Sequence, residues 1–160
     1  MRCAGLGVCL GTAVLFVATG IAQSSKAAFS VTAAAAYSEV KSGEDVYVKV
    51  TLTNNLNRVS TLEFATPLCD YSMAVRYSAD NLAPDTEVES KSDCADRHAT
   101  GADVILQLKP HESVTSTISV SMFSDMSRPG RYSVQVAWRE PKELGGVLLK
   151  SNTVKISVVS

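Results

Sequence analysis

Histidine is scarce in this chain, with two in 160 residues, and cysteine stops at four. That scarcity removes most metal-site and nucleophile arrangements before any pattern is read. There is no Cys-x-x-Cys, no histidine pair at ligand spacing and no Gly-x-Ser-x-Gly turn, the usual frames for zinc, redox or serine-ester chemistry. Neither sign of charge dominates: 15 Lys and Arg stand against 16 Asp and Glu, for a net charge of −1. Nucleic acid and acidic membrane surfaces therefore have no electrostatic case as partners. Internal repeats, low-complexity tracts and a long amphipathic helix are missing too. What is present is an ordinary globular composition, 46% hydrophobic and 19% charged, sized for one domain.

The N-terminus stands apart. Met1-Arg2 supplies a short positive start, residues 3–22 carry no charge, and Gly20-Ile21-Ala22 places small residues before a candidate cut. This is the layout of an export signal forming a helix over 1–22, with cleavage between Ala22 and Gln23. Ala27 or Ala28 offers an alternative cut, and an uncleaved membrane anchor is the competing reading. Residues 23–28 form a flexible lead, and 29–160 the folded domain. Removal of the signal takes Cys3 and Cys9 with it. Cys69 and Cys94 remain, and a lone pair in an exported domain is expected to form a disulfide. Closing that loop would stabilise the fold by about 3 kcal/mol on the chain-entropy account.

From Phe29 onward the dominant signal is alternation. Phe29, Val31, Ala33, Ala35 and Tyr37 share one parity, although four consecutive alanines also suit a helix. After the turn at Ser42 to Asp45, Val46, Val48, Val50 and Leu52 alternate with polar residues, the mark of a half-buried strand. Asn54 to Arg58 interrupts it with turn-forming residues. Strands are expected over Ser60–Ala65 and Asp70–Ser78, and around Val104, Leu106 and Leu108. Ser113–Met122 should follow, with Val114, Ile118, Val120 and Met122 inward. Residues 81–100 read as a polar excursion with a short strand at Thr86–Ser90, restrained by the disulfide.

Pro129 and Gly130 mark a tight turn, read as type II with Gly130 at its second corner. Tyr132, Val134, Val136 and Trp138 then alternate along one strand. Glu140 to Gly146 is a hairpin loop, and Val154, Ile156 and Val158 face the core from the last strand. Seven to nine short strands with turns between them predict an all-β, antiparallel Ig-like β-sandwich. Tyr132 is placed as a tyrosine corner, its hydroxyl bonding backbone near Met126 to Arg128, and Trp138 as a cover over one end of the core.

Ser42-Gly43-Glu44 before a Val-rich strand, Asn54-Asn55 at its end, Leu108-Lys109-Pro110-His111-Glu112-Ser113, Pro129-Gly130-Arg131-Tyr132 and Lys150-Ser151-Asn152-Thr153-Val154 carry a resemblance over residues 38–160. Together they resemble a group of bacterial exported Ig-like domains and, more distantly, the bacterial intracellular proteinase inhibitor domain. The motifs are turn and strand markers, so the resemblance implies fold and says little about activity. Val134 stands two residues after Tyr132, where antibody domains place a core cysteine; Cys69 and Cys94 are therefore not that inter-sheet pin.

For chemistry the residues favour plain structural roles. His98 and His111 sit in polar turns, and a copper site built from His111, Met122 and Met126 yields to core packing of Met122. No cofactor or metal is expected, and no catalysis. Ig-like topology would bring the loop after the second strand and the last hairpin loop to one end, placing Asn57 and Arg58 near Arg139, Lys142 and Leu144 as a candidate binding set. The leading expectation is an exported, periplasmic or extracellular, non-enzymatic module that binds another protein or serves a structural role at the envelope. A protease inhibitor acting through a loop such as 81–100 is the alternative, and an exported metal carrier a third. Membrane contact is expected only through an uncleaved signal segment.

Overall fold

The computed structural model describes residues 27–77, 81–86 and 104–160. The expected signal segment, residues 23–26 of the lead, all but Thr86 of the strand expected at Thr86–Ser90, Cys94 and His98 lie outside these residues.

Alternation becomes structure almost everywhere it was strong. β1 (Phe29–Ala35) buries Phe29, Val31 and Ala33, so register with a partner overrides the helical preference of its alanines. β2 is Glu39–Lys41 and β3 Tyr47–Asn54. β3 runs between β1 and β8 (Ser113–Ser119), antiparallel to both. Across the outer face of that pair, Thr51 and Thr115 hydroxyls meet at 2.8 Å and Thr53 and Ser113 at 2.8 Å.

The second sheet is built around β9 (Gly130–Arg139), with order β2-β11-β9-β5-β6 and β10 also on β9. Its other members are β5 (Tyr71–Tyr77), β6 (Asn81–Leu82), β10 (Leu148–Lys150) and β11 (Val154–Val159). β9 pairs antiparallel with β5 along its length and with β10 and then β11 on its other edge; β2 alone runs parallel to its neighbour, β11. β4 (Ser60–Phe64) and β7 (Val104–Leu108) form a separate two-stranded ribbon. Inward residues of all three sheets belong to one hydrophobic cluster, from Val48, Val50 and Leu52 through Leu62 and Leu108 to Val134, Val136 and Ile156.

Eleven strands among the described residues exceed the expected seven to nine. The surplus lies in pieces of two or three residues, β2, β6 and β10, too short to show a period. β10 and β11 read as one run, but Ser151 to Thr153 part them. There Ser151 is buried, its Oγ accepting from Val136 N–H at 3.0 Å. Asn152 reaches to the free edge of β1, accepting from Ala33 N–H and donating to Ala33 C=O, each at 2.9 Å. A short helix at Pro67–Asp70, α1, also falls below sequence detection.

Two local expectations are corrected. Met122 is 38% exposed, because a 3-10 turn over Val120–Met122 ends the two-residue period; Met126 is the buried methionine. Gly130 is not the second corner of a type II turn, which requires φ near +80°. Its φ is +155°, and it opens β9 opposite Val158. The Tyr77 ring lies directly on it: a Cβ built at Gly130 would sit 2.4 Å from Tyr77 Cε2. That ring packs 5.2 Å from the Tyr132 ring, with the Arg128 guanidinium 5.3 Å from its centroid. The Tyr132 hydroxyl donates to Arg128 C=O at 2.8 Å, closing the corner just before β9.

Tyr71 is buried on β5, with Ser116 of β8 from the other large sheet facing its hydroxyl. Burial pushes its pKa up to about 12. The neutral phenol is thus favoured in the folded chain. The unfolded chain releases this proton near pH 10 and the folded one about two units later, so the stabilisation is present below pH 10 and is lost as pH rises toward 12. At about 1.4 kcal/mol per unit this amounts to up to about 3 kcal/mol. Urea unfolding at pH 9 and pH 11.5 is expected to show the loss, and Tyr71→Phe to flatten it; an equal slope in both proteins would rule Tyr71 out as its source.

Candidate functional site

Two connections converge on the start of β1, and each is held by a polar side chain buried at the end of a strand. Asn54 closes β3 with its side chain wholly buried. Its Nδ2 donates to the carbonyls of Arg58, Leu108 and Lys109 at 2.9, 3.0 and 3.0 Å, while Oδ1 accepts from Leu56 N–H at 2.9 Å. Its backbone pairs with Glu112 and His111 in the turn before β8, where His111 takes φ +63°. One amide therefore gathers the 55–59 loop and the β7–β8 turn. The next residue, Asn55, donates its N–H to Ala28 C=O at 2.8 Å.

From the other side comes Glu140, the residue after β9, only 2% exposed. Its Oε1 accepts the Phe29 N–H at 2.9 Å, and its N–H bonds Val147 C=O at 2.9 Å. Its Oε2 is buried with no hydrogen-bond partner among the described residues. Trp138 meets Phe29 edge-on, ring centroids 5.5 Å apart, so this end of the core is aromatic beneath the carboxylate.

Beside these groups lies a cleft of about 730 Å³. One wall is β4 with Thr61, Leu62 and Glu63; the other is the end of β9 and its loop, Trp138 to Glu143, with Asp70 of α1 between them. The walls carry the carboxylates Glu63, Asp70, Glu140 and Glu143 against the cations Arg139 and Lys142. Arg139 is turned toward its own loop, Nη1 donating to Gly146 C=O at 3.1 Å. The lining is thus weighted toward acid.

The candidate binding residues divide. Arg139 and Lys142 line the cleft and are exposed. Asn57 and Arg58 are exposed on the neighbouring loop but do not line it. Leu144 is half-buried against the core, so it is a packing residue of the 3-10 turn Lys142–Leu144 as much as a surface tip. The two loops are joined through Ala28 and Phe29, which bond to Asn55 and Glu140 respectively. Asn54 and Glu140 were missed as buried residues, yet parity marks both. Asn54 continues the inward series Val48, Val50, Leu52, and Glu140 continues Val134, Val136, Trp138.

Cys69 lies on α1, close to this end in sequence; its expected partner Cys94 is outside the described residues. Among the described residues, no group of three or more His, Cys, Asp or Glu comes together as a metal site, and no helix is long and apolar enough to cross a membrane. His111 is exposed in its turn. The 81–100 excursion lies mostly outside the described residues.

No protein-family model matches the chain, and no curated protein matches it in sequence. Solved structures with partial likeness include the Pseudomonas fluorescens alkylpurine DNA glycosylase AlkC bound to DNA, at 12% identity and TM-score 0.43 over 84% of this chain and 31% of that one. A Listeria innocua β-glucosidase in complex with glucose aligns at 13% identity and TM-score 0.44, over 82% of this chain and 16% of the enzyme. The CARDB domain of a Pyrococcus furiosus protein aligns at 13% and TM-score 0.41, over 84% of this chain and 98% of that domain. The chain thus spans a third or less of the two enzymes. Likeness at this level assigns neither a family nor an activity.

Proposed function

We propose that this protein is an exported, non-enzymatic Ig-like β-sandwich module that holds a partner protein at the end of the body where β4, the β9 loop and the start of β1 meet. The observation that carries the reading is the cleft itself, open to solvent between β4 and the end of β9 with its loop. Buried Glu140 locks that loop, and buried Asn54 locks the 55–59 loop that leads into β4. Such a rigid base under exposed side chains is what a recognition surface needs, because little ordering entropy is spent on binding. The Ig-like reading is supported by the strand order around β9, with the last hairpin on one edge and β5 and β6 on the other, and by the Tyr132 corner. Export is supported by the charge-free run after Arg2, and a Cys69–Cys94 disulfide by the count of cysteines left after cleavage.

Two measurements test it. The protein recovered from the envelope fraction should begin at Gln23 and weigh two hydrogens less before reduction than after. An intact precursor there would overturn cleavage, absence from that fraction would overturn export, and a mass unmoved by reductant would overturn the disulfide. A pull-down from envelope extract with the mature domain should retain a protein partner, and alanine at Arg58 and Lys142 should release it. Capture unchanged in that double variant would place recognition elsewhere.

A further inference from the structure

The cleft is bounded on one side by a strand edge with no strand opposite it among the described residues. β4 pairs with β7 on one side only, so alternate residues of Ser60–Phe64 direct their N–H and C=O away from the ribbon with no strand opposite, among the described residues. Across the gap β5 begins at Tyr71, opposite Trp138, so only Arg139, the last residue of β9, is paired with Leu148 of β10 and has no strand on its β5 side among the described residues. An unpaired edge of this kind is a template for another extended chain. Lining the cleft stands Glu140, 2% exposed, with one carboxylate oxygen spent on Phe29 N–H and the other unpartnered among the described residues. A buried carboxylate oxygen without a donor is costly unless a donor arrives. The walls carry Glu63, Asp70 and Glu143 besides Glu140 against Lys142 and Arg139, and Arg139 is turned to Gly146 C=O, so the balance in the gap still favours an incoming cation.

We propose that an extended peptide segment of the partner, carrying a basic side chain, adds to the open edge of β4 and sets its cation against Glu140. This rests on the binding role proposed above and specifies its ligand. Main-chain bonds to β4 supply affinity with little regard to sequence, and the alternate side chain pointing toward Glu140 supplies selectivity for Lys or Arg, as in other strand-addition modes. The Trp138–Phe29 pair beneath keeps water from the carboxylate on its inner side and strengthens the charge-assisted bond.

The probe is a blocked pentapeptide, acetyl-Val-Lys-Val-Lys-Val-amide, titrated into the full mature domain and followed by backbone amide NMR. Saturable shifts are expected at Thr61 to Phe64 and at Arg139 to Glu143. Replacing both lysines of the peptide by glutamate should abolish binding, and a proline at its centre should weaken it by removing a ladder donor. Glu140→Gln should weaken the lysine peptide about tenfold, the scale of one charge-assisted hydrogen bond. Should that variant fold poorly, Glu63→Gln on the exposed wall is expected to weaken it about threefold, the scale of a surface ion pair. Equal binding of lysine and glutamate peptides, or shifts confined to other surfaces, overturns the proposal. If the extract partner is still lost in the Arg58 and Lys142 variant while the lysine peptide fails to bind, the binding role stands and strand addition falls. If neither binds, both fall.

Discussion

Asn54→Asp is expected to cost about 3–5 kcal/mol, although it exchanges one amide group for one oxygen. The Asn54 side chain is wholly buried, and its Nδ2 is the donor shared by the carbonyls of Arg58, Leu108 and Lys109. Aspartate keeps the acceptor for Leu56 N–H and turns the donor into a charge facing three carbonyl oxygens. Each buried polar group left unsatisfied costs about 1–3 kcal/mol, and an uncompensated buried charge costs more. Desolvation and the facing carbonyls would raise the folded pKa of the new carboxyl above its unfolded value. The variant is then least impaired below the unfolded pKa, and its deficit grows as pH rises through the interval between the two values. Urea midpoints of both proteins at pH 4 and pH 7 check this. A deficit below 1 kcal/mol at pH 7, or one independent of pH, would show that Asn54 does not hold these loops.

Gly130→Ala is the second large effect, expected at about 2–4 kcal/mol. At φ +155° an L side chain is strained, and the added Cβ would stand 2.4 Å from Tyr77 Cε2. The ring cannot swing away freely: it packs on Tyr132 and Arg128, and its hydroxyl donates to Pro129 C=O at 3.3 Å. Truncating the ring tests the cause. In the Tyr77→Ala background, Gly130→Ala should cost markedly less than in the native protein, since the clash is gone and only backbone strain persists. Additive losses in chemical denaturation would assign the whole effect to φ. The glycine was singled out in the sequence for a turn; the structure gives it a different reason, the approach of a ring from β5.

These two residues show where sequence reading stops. Asn54 is a loop-former by residue type, while its parity places it inside; position wins because the carbonyls of Leu108 and Lys109, from a distant segment, converge on it together with the nearby Arg58 C=O. Glu140 belongs by residue type to a polar hairpin loop, and its position likewise prevails. Its partner, Phe29, lies 111 residues away in sequence. Met122 failed in the opposite sense: its parity is inward, but the chain leaves extended geometry at Val120. Arg139 and Lys142 were legible as exposed hairpin residues. That they line a cleft with Glu63 and Asp70 was not, since β4 reaches that place through its pairing with β7, some forty residues further along.

Local alternation of apolar and polar residues determined by itself that the chain is all-β and which face of β1, β3, β9 and β11 turns inward, because the two-residue pleat ties side-chain direction to neighbours in sequence. The tertiary structure alone decided the strand order, the cleft between β4 and the end of β9, and the burial of Asn54 and Glu140. Those depend on which distant backbone groups need a hydrogen-bond partner once water is excluded, and no period in the sequence records that need.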